Sequence, residues 1–270
     1  GQPLTARADQ YATGIVLYEL LTGSVPFNSK TISGVIMAHL TQPPPELPTQ
    51  VPEALRKIVN NGEFLVEAND LGAVKLLREA AVRFVAGPHL NIYNSAALQL
   101  FAEQGAVRWL PAVEASRELL QEMQASRPAG METELFAYGR LPLAFSARCF
   151  TARHYNLSKD DCQFRCMDDP DGITLRTREA VPFLAINGIQ TQSAQTYKLL
   201  PLLPELQPSG VDIVRLSPQG SRMREVVEAF SATLKGQPAA ALESLMPVGG
   251  CDGYWFGKPG IESSYLERVR

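Results

Sequence analysis

Two rhythms of secondary structure meet near residue 60, and the change places a domain boundary there. From Glu63 onward, short β-branched or aromatic runs alternate with amphipathic helical windows, the pattern of βα units around a parallel sheet. The strand candidates are FLVE (64–67), RFVAG (83–87), VRWLP (107–111), ELFAYG (134–139), FLAING (183–188) and DIVRLS (212–217). Helical windows such as LGAVKLLREAA, SAALQLFAEQG and EASRELLQEMQ lie between most of them. A closed barrel needs eight strands, two more than these. The expected fold class is therefore α/β, an incomplete (β/α)8-type barrel of about six strands.

Residues 1–60 read as helices only. An apolar helix over residues 9–22 is closed by Gly23 at its C-terminal cap, and a second spans 30–40. The stretch QPPPELPTQ cannot continue a helix, and VPEALRKIV starts a third with Pro52 in its first turn. The expected organisation is a small all-helical segment over 1–60 followed by a partial α/β barrel over 61–270.

With 45% hydrophobic and 20% charged residues the composition is that of a globular protein, and no apolar run approaches the roughly 20 residues that span a bilayer. The most apolar helical stretch, residues 12–21, is short and interrupted by Glu19. No membrane span is expected. The chain opens on Gly1 without the pattern of a signal peptide, which predicts a fragment of a longer, cytoplasmic protein. Residues 1–60 hold four basic and four acidic side chains, so the net charge of −3 belongs to the remainder. That balance exerts no general pull on phosphate backbones, and nucleic acid is not an expected partner.

Three of the four cysteines, Cys149, Cys162 and Cys166, fall within 18 residues, and only Cys251 lies elsewhere. In a reducing compartment, clustered thiols bind metal more often than they form structural disulfides. If residues 160–166 are helical, Cys162 and Cys166 project from one face, with Cys149 approaching from a loop after a strand. Spacing alone leaves an iron-sulfur cluster, zinc, inert buried thiols and a Cys162–Cys166 disulfide open.

The segment FAYGRLPLAFSAR, with Arg140 and Arg148, ends a strand at the side where α/β barrels collect their functional loops. Arg148 beside a thiolate can lower a cysteine pKa or anchor an anionic substrate. Asn91, Asn94, Glu114, Arg117, Asn187 and Arg215 also fall at or just after strand ends. Each alone reads as a turn or capping residue, and together with Arg140 and Arg148 they are the candidate pocket lining. Of the histidines, His89 alone lies near a strand end. The run MDDPDG lacks the spacing and final Glu of a calcium loop and reads as a solvated turn. No HExxH helix or GxSxG elbow occurs, so peptidase activity is not expected.

The run LTARADQYATGIVLYELLTGSVPF resembles the C-lobe of bacterial serine/threonine protein kinases just after the activation segment, through Asp9, Gly14, Tyr18, Glu19, Leu20, Leu21, Thr22, Gly23, Pro26 and Phe27. Phosphoryl transfer needs a Gly-rich loop, a strand Lys, a catalytic-loop Asp and Asn, and a metal-binding Asp, and none of those motifs occurs in these residues. The resemblance implies a non-catalytic helical fragment.

Residues 61–270 resemble the UbiV-like branch of the collagenase-like family thirty-two of the U-class peptidases. The blocks that carry it are NGEFLVEANDLG, FVAGPHLNIYN, RWLPAVEASRELL, YGRLPLAFSARCFTAR, LAINGIQTQSAQTY, VDIVRLSPQG and CDGYW. The resemblance implies a barrel-like α/β protein with a 4Fe-4S cluster. It further implies a heterodimer with a UbiU-like protein that hydroxylates a ubiquinone precursor without oxygen. Cys149, Cys162 and Cys166 carry over as ligands. The family's fourth ligand belongs to N-terminal barrel units that the kinase-like segment replaces, so that ligand is either missing or substituted by Cys251, whose block is not a ligand element in the family, if Cys251 folds close to the other three. Two readings of other classes stand beside this one: a non-catalytic interaction protein built around the kinase fragment, and an RNA-modifying hydroxylase of the same family. The acidic pI of about 5.7 counts against the latter.

Overall fold

The computed structural model describes residues 25–29, 31–42, 45, 50–158 and 160–264. The chain divides into two compact units, Gly1–Phe64 and Leu65–Arg270.

In the first unit, helix α1 (Ile32–Thr41) starts where the Thr31 hydroxyl accepts from the Gly34 N–H at 3.1 Å. Helix α2 (Gln50–Val59) carries Glu53 in its first turn and Arg56 and Lys57 in its last, the charge order that the helix dipole favours. These are the helices expected over 30–40 and from VPEALRKIV. The helix expected over 9–22, with the kinase-like residues Asp9 to Gly23, lies outside the described residues.

The second unit is built on β1 (Val66–Ala68), β2 (Phe84–Ala86), β3 (Ala106–Trp109), β4 (Glu132–Phe145), β5 (Ile173–Arg176), β6 (Pro182–Asn187), β7 (Gln190–Lys198), β8 (Ile213–Leu216) and β9 (Gly250–Cys251). They form one sheet in the order β1-β2-β3-β4-β7-β6-β5, with β8 also on β4 and β9 on β7. Strands β1 to β4 run parallel, joined by α3 (Leu71–Glu79), α4 (Ser95–Glu103) and α5 (Arg117–Ala125). Each helix begins at a side-chain cap: Asp70 accepts from Ala73 N–H at 2.9 Å, Asn94 from Ala97 at 2.8 Å and Ser116 from Leu119 at 3.3 Å. Their inward faces bury Val74, Leu77, Leu98, Phe101, Leu120 and Met123, which with Phe84 and Trp109 of the sheet make the core. Each such side chain contributes about 1.5–3 kcal/mol by leaving water.

Three strands share β4. Strand β3 pairs with residues 132–133, β8 runs parallel to 134–138, and β7 runs antiparallel to 138–145. The parallel set β1-β2-β3-β4-β8 curls as an incomplete barrel, with the short α7 (Leu203–Leu206) before its last strand and α8 (Met223–Leu234) after it. Beyond Tyr138 the β4 chain departs from that set. Gly139 has φ 128°, and a Cβ there would stand 2.4 Å from the Ser217 Cβ, so only glycine lets the loop after β8 approach this closely. Register shifts on either side of Pro142, which has no N–H to donate, bend the strand further.

The sequence expectation fails at three places. FLAING is a strand, β6, but it sits in the antiparallel meander β5-β6-β7 instead of in a βα unit. The cause is the two-residue turn Gly188-Ile189, whose Gly188 (φ 62°) turns the chain straight back and leaves no length for a crossover helix. Strands β5, β7 and β9 were not expected, since QTQSAQTYK lacks apolar alternation and β9 has two residues. Finally, residues 160–166 are not one α-helix. Gln163 (φ 52°) and Phe164 (φ 51°) are both left-handed, and a 3₁₀ turn, Arg165–Met167, follows, so Cys162 and Cys166 do not share a helix face. Among the described residues no helix is long and apolar enough to cross a membrane.

Candidate functional site

Open α/β sheets and barrels build sites where their parallel strands end, because the loops there converge. In this chain the segments after β2, β3 and β8, together with β4, line two cavities of about 360 and 260 Å³ that share Pro88, Val113 and Pro142. The larger presents His89, Asn91, Glu114 and Tyr254. The smaller is walled by Leu110, Phe136, Leu216 and Pro218, with Arg215 as its charged side chain.

Local structure explains the polar positions. A 3₁₀ turn, Pro88–Leu90, leaves β2 and ends on Asn91 in the left-handed region (φ 54°), which Asn tolerates better than most residues. The His89 N–H donates to Asn69 Oδ1 at 3.2 Å, and its ring meets Phe145 edge-on at 5.6 Å. Tyr93 donates its hydroxyl to Glu114 Oε1 in a short hydrogen bond. Burial, then the bond to Glu114 and its charge, push the Tyr93 phenol up to about 12, so it keeps its proton and remains a donor at ordinary pH.

Below the smaller cavity lies an ion network. Arg215 Nε donates to Glu134 at 2.6 Å and Nη2 to Glu67 at 2.5 Å, while Arg108 reaches Glu134 at 3.3 Å and Glu132 at 2.8 Å. Glu67 is on β1 and Arg215 on β8, the two ends of the parallel set, so their contact spans the curl of the sheet. Burial pushes the Glu67 carboxyl up, but hydrogen bonds from Arg215 and Asn69 and the Arg215 charge outweigh it and hold Glu67 below the usual carboxylate range.

Of the strand-end residues singled out by sequence, Asn91 and Glu114 line the larger cavity and Arg215 the smaller. Asn94 caps α4. Arg117 pairs with Glu118 at 3.2 Å and lies 5.7 Å from the Phe256 ring centroid. Arg140 is buried and donates to the Ser193 and Ala194 carbonyls at 3.3 and 3.0 Å. The Arg148 N–H rests on Ser146 Oγ at 3.1 Å, and Asn187 Nδ2 donates to the Pro170 carbonyl at 3.4 Å. Sequence reasoning missed Tyr93, Tyr254, Glu67 and Glu134. For the two glutamates a signal existed, a lone charge inside an otherwise apolar strand run.

Cys149 caps the short helix α6 (Phe150–His154), its Sγ accepting from the Ala152 N–H at 3.4 Å. Cys162 and Cys166 are half-buried on the loop that follows, where Tyr155 donates to Asp169 at 3.0 Å. Cys251 is wholly buried opposite Tyr197, and burial, then the Asp252 charge, push its thiol up to about 12. Among the described residues no group of three or more His, Cys, Asp and Glu side chains stands close enough to hold a metal ion. The thiols of residues 149–166 have the chemistry of cluster ligands, although the described residues hold no preformed group of them, and Cys251 is a core thiol.

No solved structure matches this chain. Curated relatives match over short stretches. The serine/threonine-protein kinase PknA of Corynebacterium glutamicum is 36% identical over 59 residues, 22% of this chain and 13% of that protein. The kinase pkn3 of Myxococcus xanthus is 43% identical over 54 residues, 20% of this chain and 10% of its own length. PknD of Mycobacterium tuberculosis is 39% identical over 81 residues, 26% of this chain and 12% of the kinase. The chain thus spans 13% or less of the length of these kinases. The family model of peptidase family U32, by contrast, matches residues 18–238, a range that starts inside the kinase-like run and takes in β1 through β8. Matched over most of its length, the chain belongs to peptidase family U32.

Proposed function

We propose that this chain is a UbiV-like member of peptidase family U32, a cytoplasmic subunit that works with a UbiU-like partner in the oxygen-independent hydroxylation of a ubiquinone precursor. One observation carries the reading: five of the seven blocks that bear the resemblance help to wall the two strand-end cavities. Pro88, His89 and Asn91 come from FVAGPHLNIYN, Val113 and Glu114 from RWLPAVEASRELL, Pro142 and Leu143 from YGRLPLAFSARCFTAR, Arg215 to Pro218 from VDIVRLSPQG, and Tyr254 from CDGYW.

The chemistry of the walls suits a substituted aromatic ring. Phe136, Leu110 and Pro218 offer apolar faces, while His89, Asn91, Glu114 and Tyr254 offer hydrogen bonds to ring substituents. Arg215, held by Glu67 and Glu134, is fixed in orientation before any ligand arrives. The 4Fe-4S cluster belongs to this reading through Cys149, Cys162 and Cys166.

The test is anaerobic purification and reconstitution of the full chain beside a Cys149, Cys162, Cys166 triple-Ala variant. Iron, sulfide and binding of a short-chain prenylated phenol are measured on both. About four iron and four sulfide per chain, lost in the variant, with phenol binding weakened by Phe136→Ala, is the expected result. Equal iron in both proteins, or no phenol binding, overturns the assignment.

A further inference from the structure

A third cavity, of about 190 Å³, lies beside the bend of β4 and has no lining residue in common with the two strand-end cavities. Two side chains of β4 enter its wall. Arg140 is 8% exposed, and among the described residues no carboxylate lies within 4.0 Å of its guanidinium, whose partners are the two carbonyls of β7. Tyr138 is fully buried, and its hydroxyl has no hydrogen-bond partner. A buried cation hydrogen-bonded to neutral carbonyls, with the Asp171 charge near it but beyond ion-pair distance, and a buried hydroxyl without a partner are both costly arrangements, and both are relieved by one anion between them.

A third group completes the arrangement. The cavity is also lined by Ser221, Arg222 and Val226, at the start of the 12-residue α8, and that helix has no side-chain cap. The Glu225 N–H turns back to the Arg222 carbonyl at 3.1 Å, which leaves the Met223 and Arg224 N–H groups and the positive end of the dipole for an anion. Arg222 itself is engaged with Glu225. Helix α8 follows the last parallel strand, the place where α/β barrels most often hold phosphate. One carboxylate, Asp171, also lines the cavity, where its Oδ1 accepts from the Gly220 N–H at 2.6 Å.

We propose that this cavity is an anion site that takes a phosphate group, with Arg140, the Tyr138 hydroxyl and the first turn of α8 as donors and Asp171 as acceptor. Donors converging from separate elements suit a tetrahedral oxyanion better than a planar carboxylate. Asp171 would repel a fully deprotonated anion, but it accepts the hydrogen of a monoprotonated phosphate, so the site selects phosphate over sulfate. Burial pushes the Tyr138 phenol up, which keeps it protonated as a donor.

The test is calorimetric titration of the full chain with inorganic phosphate, sulfate and phenyl phosphate at matched ionic strength. Wild type binds phosphate more tightly than sulfate. Tyr138→Phe removes a hydroxyl that holds nothing in the fold, so the urea midpoint stays or rises while phosphate affinity falls about tenfold or more. Asp171→Asn abolishes the preference over sulfate. Tighter phenyl phosphate marks the phosphoryl group of an organic ligand as the occupant, and tighter inorganic phosphate marks the free ion; either supports the site. Absence of phosphate binding to wild type, or a Tyr138→Phe variant that binds as wild type does, overturns the proposal.

Discussion

At the scale of single residues, Glu134 shows how the charged interior of the curled sheet is held. Its side chain is 7% exposed, and Arg215 and Arg108 replace the water it lost. Arg215→Ala is expected to lower unfolding free energy by about 2 kcal/mol, less than for a fully buried pair because Arg215 is partly exposed and Arg108 remains. Urea denaturation measures this. The contact of Arg215 with Glu67 sets a pH limb. The Glu67 pKa is depressed on folding, so its stabilisation is complete above the usual carboxylate range and is lost as pH falls through the lower folded value. The urea midpoint of wild type should fall more steeply with acid than that of Arg215→Ala. Thiol chemistry separates the cysteines as well. In the folded, cluster-free chain iodoacetamide should alkylate Cys149, Cys162 and Cys166 and reach the buried Cys251 only after denaturation. Mass spectrometry that finds Cys251 labelled at the same rate would show that β9 does not stay on β7.

At the scale of elements, caps and one glycine make the connections of the partial barrel. Asp70→Ala removes the α3 cap and should cost about 1 kcal/mol in thermal or urea unfolding. Gly139→Ala should cost at least about 2 kcal/mol, because it combines a positive φ with a clash against Ser217. Adding Ser217→Gly to it relieves the clash but not the backbone cost, so the double variant should recover only part of the loss. Elements with a clear apolar period were legible in the sequence: β1 to β3, β6, β8 and helices α3 to α5 appear within a few residues of their expected positions, and β4 starts where expected but runs six residues past the expected end, to Phe145. Strand β7 was not, because its burial comes from strands on both sides and not from its own alternation.

At the scale of the whole molecule, stability should be graded across the sheet. Strands β2 and β3 are paired on both sides and mostly buried, whereas β5 is an edge strand and half-exposed. Hydrogen exchange should find the β2 and β3 amides opening only with global unfolding and those of β5 well before it. The sequence by itself determined the alternation of strands and helices after residue 60, the segment that groups three thiols, and the blocks that mark peptidase family U32. These are written in near neighbours, within a turn of helix or a run of strand. Only the tertiary structure decided that Glu67 meets Arg215 across 148 residues and that Asn91 and Glu114 share a cavity while Asn94 and Asn187 do not. It alone brought Tyr138, its hydroxyl unpartnered, and Arg140 to one cavity with Asp171. Such meetings depend on strand register, on the bend of β4 at Gly139 and on the curl of the sheet, and no local period in the chain encodes them.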